Sequence, residues 1–123
     1  KAADQGYPSA IHNLAWSYLE GSGVPKDEQR AVELFRRAAD AGWPRAQLKL
    51  GEMYLHGQVV ERSAPAAVAW YRKAADQGHA AAQMSLAAVY FRGADGVPED
   101  LAAARGWFRK AAEQGNDSGA AML

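Results

Sequence analysis

The chain repeats one spacing of small, aliphatic and aromatic residues. A small residue is followed four positions later by leucine and, after four more, by tyrosine. The three sets are Ala10, Leu14 and Tyr18; Ala46, Leu50 and Tyr54; and Ala82, Leu86 and Tyr90. Positions i, i+4 and i+8 share one face of an α-helix. The pattern therefore predicts three helices, each termed helix A, over about residues 8–20, 44–56 and 80–92.

A second apolar stripe follows each helix A, with an aromatic residue between alanines at helical spacing. Its members are Ala31, Phe35 and Ala38; Ala67, Tyr71 and Ala74; and Ala104, Phe108 and Ala111. A glycine interrupts the helical pattern before each stripe, and residue types that cap helix N-termini follow at Asp27, Ser63 and Asp100. We predict a helix B from each cap to about Ala41, Gln77 and Gln114, closed by a glycine. The alanines, leucines and aromatic residues of both stripes are interpreted as packing residues.

The same hexapeptide, Lys-Ala-Ala-Asp-Gln-Gly, occurs at residues 1–6 and 73–78, with close variants at 37–42 and 110–115. The glycines that end these segments are 36, 36 and 37 residues apart, a period typical of repeat arrays. Because two helices cannot cover their own apolar faces, such repeats stack on one another. We predict a single all-α repeat domain over 1–123. It comprises the end of a preceding repeat at 1–6, repeats at 7–42, 43–78 and 79–115, and a truncated repeat at 116–123.

Three motifs resemble the Sel-1-like repeat family, relatives of the tetratricopeptide repeats, over nearly the whole chain. They are Ala-Gln-Leu-Lys-Leu-Gly-Glu-Met-Tyr-Leu-His-Gly at 46–57, Gly-Val-Pro shortly before Asp27 or Asp100, and Trp-Tyr-Arg-Lys-Ala-Ala-Asp-Gln-Gly at 70–78. The resemblance implies a right-handed α/α solenoid that acts as a scaffold or adaptor. It also implies a bacterial protein of the periplasm or a secreted one, with the cytoplasm left open. The absence of cysteine separates the chain from the cysteine-rich branch of the family.

The second repeat departs from its neighbours between its two helices. Val59 and Val60 stand where the other repeats have Gly-Val, and Pro65 lies in the first turn of helix B. We therefore expect a different loop shape in this repeat. The third repeat carries one inserted residue in the segment 94–95.

Composition excludes several classes of function. Fourteen basic residues balance fourteen acidic ones, which argues against nucleic-acid binding through overall charge. Without cysteine there is no disulfide or thiolate metal site, and the longest apolar run, residues 64–71, is too short for membrane insertion. Because both ends resemble partial repeats, end-to-end self-association of copies is a further expectation.

No residue pattern indicates catalysis, a metal or a cofactor. His12, His56 and His79 lack metal-ligand spacing, and the latter two lie at predicted helix ends, where surface histidines are common. No serine lies in a nucleophile elbow, and the glycines at 21–23 fit a turn better than a phosphate loop. We predict no catalytic residue, no metal site and no cofactor.

One side of helix A mixes aromatic, aliphatic and charged residues, which is typical of a partner-binding surface. The predicted contacts on this concave face are His12, Trp16, Glu20, Arg45, Leu48, Glu52, His56, Met84, Ala88 and Arg92. The alternative is packing against helix B or the next repeat, which concerns Leu19, Leu55 and Phe91 and also Trp16 and Met84. The basic residues that recur on helix B are interpreted as a solvated outer face, since acids lie among them.

The sequence therefore favours a non-enzymatic scaffold or adaptor that binds a peptide or protein through the concave helix-A face. One alternative is a bacterial immunity or inhibitor protein that neutralises a specific toxin or enzyme. A hydrolase is the least favoured alternative, because only analogy within the family points to it.

Overall fold

The computed structural model describes residues 2–114, which form six helices. These are α1 (Ala2–Glu20), α2 (Glu28–Asp40), α3 (Pro44–His56), α4 (Ala64–Asp76), α5 (Ala80–Arg92) and α6 (Leu101–Gln114). The odd-numbered helices are the predicted helices A and the even-numbered ones the helices B, which confirms the all-α repeat fold. Within residues 2–114, no helix is both long and apolar enough to cross a membrane. The predicted start of a fourth repeat, at 116–123, lies outside the described residues.

The predicted N-caps of the helices B are confirmed. The side chains of Asp27, Ser63 and Asp100 accept hydrogen bonds from backbone N–H groups three residues later, at 3.1, 3.2 and 3.0 Å. Each satisfies a donor that has no partner within its helix. These caps fix where helices α2, α4 and α6 begin.

Glycine closes α2 and α4 by a shared geometry. Gly42 and Gly78 have φ of 93° and 89°, which side chains with a Cβ disfavour. The N–H of Gly42 donates to the carbonyl of Ala39 at 2.9 Å, and that of Trp43 donates to Ala38 at 3.0 Å. This pair of bonds is a Schellman motif, and it reverses the chain into the next helix A.

Gly6 does not end a helix. The sequence predicts residues 1–6 to be the end of a helix B, whereas α1 begins at Ala2 and continues through Gly6 to Glu20. Glycine in the interior of a helix costs about 1 kcal/mol relative to alanine.

The core lies between successive helices and consists of two clusters of buried residues, one on α1, α2 and α3 and one on α4, α5 and the loop after α5. Its largest fully buried side chains are Phe35, Leu50, Met53, Tyr71 and Leu86. The predicted alanines at 46, 67, 74, 82, 104 and 111 are buried between helix backbones.

Packing residues at the two ends of the stack are exposed, contrary to their prediction as core. Leu14 is 43% exposed and Ala10 is exposed on α1, and Phe108 is 37% exposed on α6. Their equivalents in the second repeat are buried because a helix packs on each side of them. Within the described residues, α1 and α6 have a neighbouring helix on one side only.

The loop of the second repeat keeps the shape of the first, so the expectation of a different shape was wrong. Val59 adopts φ of 67°, close to the 78° of Gly23 at the matching position. The N–H of Val60 donates to the carbonyl of Gln58 at 2.7 Å, which closes a tight three-residue turn around Val59. The side chains of Val59 and Val60 pack against the core, which offsets the strain of this backbone.

Polar side chains also join the repeats. The Gln47 amide donates to the carbonyl of Ala39 at 3.0 Å, and its oxygen accepts from Gln77 at 2.8 Å. The basic residues of helix B are exposed as predicted, yet several make specific contacts. Arg36 donates to the Tyr54 hydroxyl at 2.6 Å and Arg72 to the Tyr90 hydroxyl at 3.1 Å, so the outer face also links neighbouring repeats.

Candidate functional site

Two cavities lie side by side along the helices A. The first, of about 330 Å³, is lined by residues of α1, α3 and α5, and the second, of about 390 Å³, lies between α3, α5 and the loops that follow them. Glu52 lines both cavities and joins them. We call this continuous depression the helix-A groove. Its charged and aromatic lining consists of His12, Trp16, Arg45, Lys49, Glu52, His56, Arg62, Tyr71, His79 and Arg92.

An aromatic cluster forms the first cavity's wall on α1. The Trp16 and His12 rings both pack edge-on against Phe35, with distances between ring centroids of 5.6 Å and 5.3 Å. On the other side, the ammonium of Lys49 lies 4.6 Å from the Trp16 ring centroid, within the range of a cation–π contact. Trp16 is therefore held in place from both sides and only half-buried.

A hydrogen bond fixes the protonation of His12. Trp16 Nε1 donates to His12 Nε2 at 3.2 Å, so the neutral imidazole carries its proton on Nδ1. Only 7% of His12 is exposed, and Nδ1 is buried without a hydrogen-bond partner among the described residues. An N–H donor in this position has lost water and gained no acceptor, which costs free energy.

Positive charge gathers around the two histidines of the first cavity. Burial lowers the pKa of His12, and the charges of Arg45 and Lys49 lower it further. Burial and the charge of Arg45 likewise lower the pKa of His79, the residue that precedes α5. Both imidazoles are consequently neutral near pH 7, and Arg45 and Lys49 supply the charge.

Tyr71 of α4 lies in the second cavity's lining. Its ring packs so closely on α3 that a Cβ built on Gly51 would meet Tyr71 Cδ1 and Cε1 at 2.5 Å. Burial raises the pKa of the Tyr71 hydroxyl, and the negative charge of Glu52 adds to this effect. The hydroxyl is therefore neutral near pH 7 and can both donate and accept a hydrogen bond.

Most residues predicted for the concave face line the groove. Those that line either cavity are His12, Trp16, Arg45, Leu48, Glu52, His56, Ala88 and Arg92. Glu20 and Met84 line neither cavity, although both are exposed on helices A. His12, predicted as a partner contact, lines the first cavity but is only 7% exposed, and its ring packs edge-on against Phe35 of α2.

The alternative prediction, that residues of this face pack against helix B or the next repeat, holds at some positions only. Leu19 is buried, and Leu55 and Trp16 are half-buried against the core. Met84 and Phe91 are 49% and 55% exposed, so these two side chains remain accessible to a partner.

Sequence reasoning missed three cationic or titratable residues of the groove. Lys49 lies on the flank of its helix, next to the predicted stripe, and a wider arc on the helical wheel would have included it. Arg62 belongs to a loop and His79 to a helix boundary, where helical periodicity carries no information. Among the described residues, no group of three or more His, Cys, Asp or Glu is arranged to hold a metal ion.

Comparison with known proteins places this geometry in a family. The model of the Sel1 repeat matches residues 8–43, 44–79 and 80–116. No curated protein matches the chain. A protective antigen of uropathogenic Escherichia coli strains with an SLR fold is 45% identical, with a TM-score of 0.82 over 94% of this chain. This chain spans only 24% of that antigen.

Two further solved structures resemble the chain over most of their own length. A Sel1 repeat protein from Oxalobacter formigenes is 39% identical, with a TM-score of 0.83 over 98% of this chain and 90% of that one. Cysteine-rich protein B of Helicobacter pylori is 22% identical, with a TM-score of 0.73 over 100% of this chain and 93% of its own, and this likeness concerns the fold alone.

Proposed function

The chain belongs to the Sel1 repeat family, and we propose that it is a scaffold or adaptor that binds a peptide or protein partner through the helix-A groove. Proteins of this family generally serve as non-catalytic interaction scaffolds. The observation that carries the choice of face is the pair of adjoining cavities, which crosses all three helices A and is joined at Glu52.

The groove combines properties that favour binding of an extended segment. Leu48 and Leu55 provide half-buried apolar surface, while exposed arginines stand at its edge. Two of its three walls, α3 and α5, are packed on both sides in the middle of the stack, so little conformational entropy would be lost there on binding. Apolar anchors surrounded by a polar rim are typical of protein interfaces.

The test compares the groove with the outer face. A peptide is selected from a random library on the unmodified chain, and its affinity is then measured by fluorescence anisotropy. The double variant Leu48→Ala/Arg92→Ala should weaken binding roughly tenfold or more. The matched control Leu101→Ala/Arg109→Ala removes the same residue types from α6, where both are exposed, and should change affinity less than about twofold.

Circular dichroism must show unchanged helix content in both double variants. Loss of binding in the α6 control, with full affinity in the groove variant, would move the binding surface to the helices B and disprove the proposal.

A further inference from the structure

The helix-A groove has an excess of cations in a molecule whose net charge is zero. The side chains that line the helix-A groove include Arg45, Lys49, Arg62 and Arg92 but a single carboxylate, Glu52. All three histidines of the chain line it as well. The groove is therefore a positive surface. The helices B also carry more cations than acids, and an excess of acids lies in the loop at 93–100.

The cations of the groove form no ion pair with a carboxylate among residues 7–114. Among residues 7–114, the sole ion pair within 4.0 Å joins Lys26 to Glu28, so neither Arg45 nor Lys49 is paired with a carboxylate. Arg45 and Lys49 are one turn apart on α3 and so project from the same side of it. Unpaired donors that converge on one cavity indicate a ligand that brings acceptors.

The groove's chemistry favours a carboxylate on a peptide over a nucleic acid. Single-stranded nucleic acids bind by stacking bases on free aromatic faces. The Trp16 ring packs edge-on against Phe35, and the ammonium of Lys49 lies over the Trp16 ring. Leu48 and Leu55 offer apolar contacts between the cations, which suits a chain that alternates acidic and aliphatic side chains.

We propose that the helix-A groove binds an acidic peptide segment, with one carboxylate seated between Arg45, Lys49 and His79 and a second beside Arg62 and Arg92. This inference rests on the proposed function and names the class of its partner. Each carboxylate gains charge-assisted hydrogen bonds, and the nearby positive charges gain a counter-charge. Glu52 separates the two sites, so acidic side chains of the segment bind on either side of it.

The test uses two labelled peptides of about ten residues that differ only in replacing every glutamate by glutamine, with leucine or alanine between. By fluorescence anisotropy at low salt, the glutamate peptide should bind at least about tenfold more tightly than the glutamine peptide. Added salt should reduce that advantage, because these charges are partly exposed.

Matched charge variants locate the effect. Arg45→Gln/Lys49→Gln should reduce the preference for the glutamate peptide to the part that Arg62 and Arg92 contribute, whereas Arg37→Gln/Arg109→Gln, which removes two exposed cations from helices B, should preserve it in full. Bound glutamate peptide should also raise the pKa of His79 in an NMR titration, and the glutamine peptide should not, because only a carboxylate opposes the charge of Arg45.

The outcomes separate this inference from the proposed function. If the library-selected peptide requires the groove but the glutamate peptide has no advantage, the groove remains the binding surface and the acidic partner is wrong. Equal losses in both charge variants would assign the preference to overall charge and overturn the proposed sites. Tighter, Arg45-dependent binding of single-stranded DNA or of a phosphopeptide would replace the partner class.

Discussion

At the scale of single residues, the protonation of His12 depends both on its contacts in the core and on the charges of the groove. Its Nε2 accepts from Trp16, which places the proton of the neutral imidazole on Nδ1, and its burial lowers its pKa and so favours that neutral form. Arg45 and Lys49 strengthen that preference, because protonation would add a third positive charge to one cavity. The histidine therefore reports the electrostatic potential of the groove.

Removing the cations should change the two histidines differently. Arg45→Gln should raise the pKa of both His12 and His79, since Arg45 lowers both, whereas Lys49→Gln should raise only that of His12. NMR titration of the imidazole resonances measures this directly. Arg109→Gln, on the exposed side of α6, serves as the control and should leave both unchanged. If Lys49→Gln raised the pKa of His79 as much as Arg45→Gln does, the assignment of Arg45 as the charge that acts on His79 would be wrong.

The same lowered pKa predicts how stability depends on pH. Because the folded state holds His12 and His79 below their ordinary value of 6.5, the unfolded chain binds more protons as the pH falls through that value. These histidines therefore stabilise the fold above about pH 6.5, and that contribution is lost as the pH falls towards their folded pKa. Arg45→Gln brings the folded pKa closer to the unfolded one and should reduce this dependence.

At the scale of helices, α3 packs on α4 through a glycine at a position where the other two repeats have alanine. The second repeat pairs Gly51 with Tyr71, where the first has Ala15 with Phe35 and the third has Ala87 with Phe108. A methyl group at Gly51 would overlap the Tyr71 ring, which is itself buried and has little room to move. Glycine is retained in the helix interior for this approach, despite its low helix propensity.

The same substitution, glycine to alanine, should therefore change the free energy of unfolding in opposite directions at two different glycines. Gly51→Ala should lower the free energy of unfolding by about 1–3 kcal/mol through overpacking, less the gain in helix propensity. Gly106→Ala on α6, where an added Cβ meets nothing within 4 Å, should raise it by up to about 1 kcal/mol. Urea denaturation followed by circular dichroism measures both. A stabilised Gly51 variant would show that the Tyr71 ring can withdraw.

Helix boundaries were predictable because their signals are local. Asp27, Ser63 and Asp100 cap the backbone three residues away, and Gly42 and Gly78 close turns that involve their immediate neighbours. The loop at Val59 was mispredicted, because propensity argues against a left-handed valine. Two valine side chains packed on the core keep that backbone shape, and such a tertiary contact has no counterpart in the local sequence.

At the scale of the whole molecule, the groove belongs to no single helix. Helical periodicity identified Trp16, Glu52 and Arg92 one helix at a time, because each faces the same side of its own helix A. Cavities form between helices, so flanking residues such as Lys49 and loop residues such as Arg62 enter them only after stacking. The charge of the groove is likewise a property of the stack, which a net charge of zero conceals.

The position of a leucine in the stack should decide how much it contributes to stability. Leu50 is fully buried between helices on both sides, so Leu50→Ala should lower the free energy of unfolding by about 2–5 kcal/mol. Leu14 occupies the matching position but is 43% exposed, and Leu14→Ala should cost about 1 kcal/mol or less. Leu86→Ala, at a third equivalent and buried position, should behave like Leu50→Ala and serves as the control. Denaturation in urea ranks the three variants. A Leu14→Ala cost equal to the other two would mean that a further helix, or a second copy of the chain, covers that face of α1 in solution.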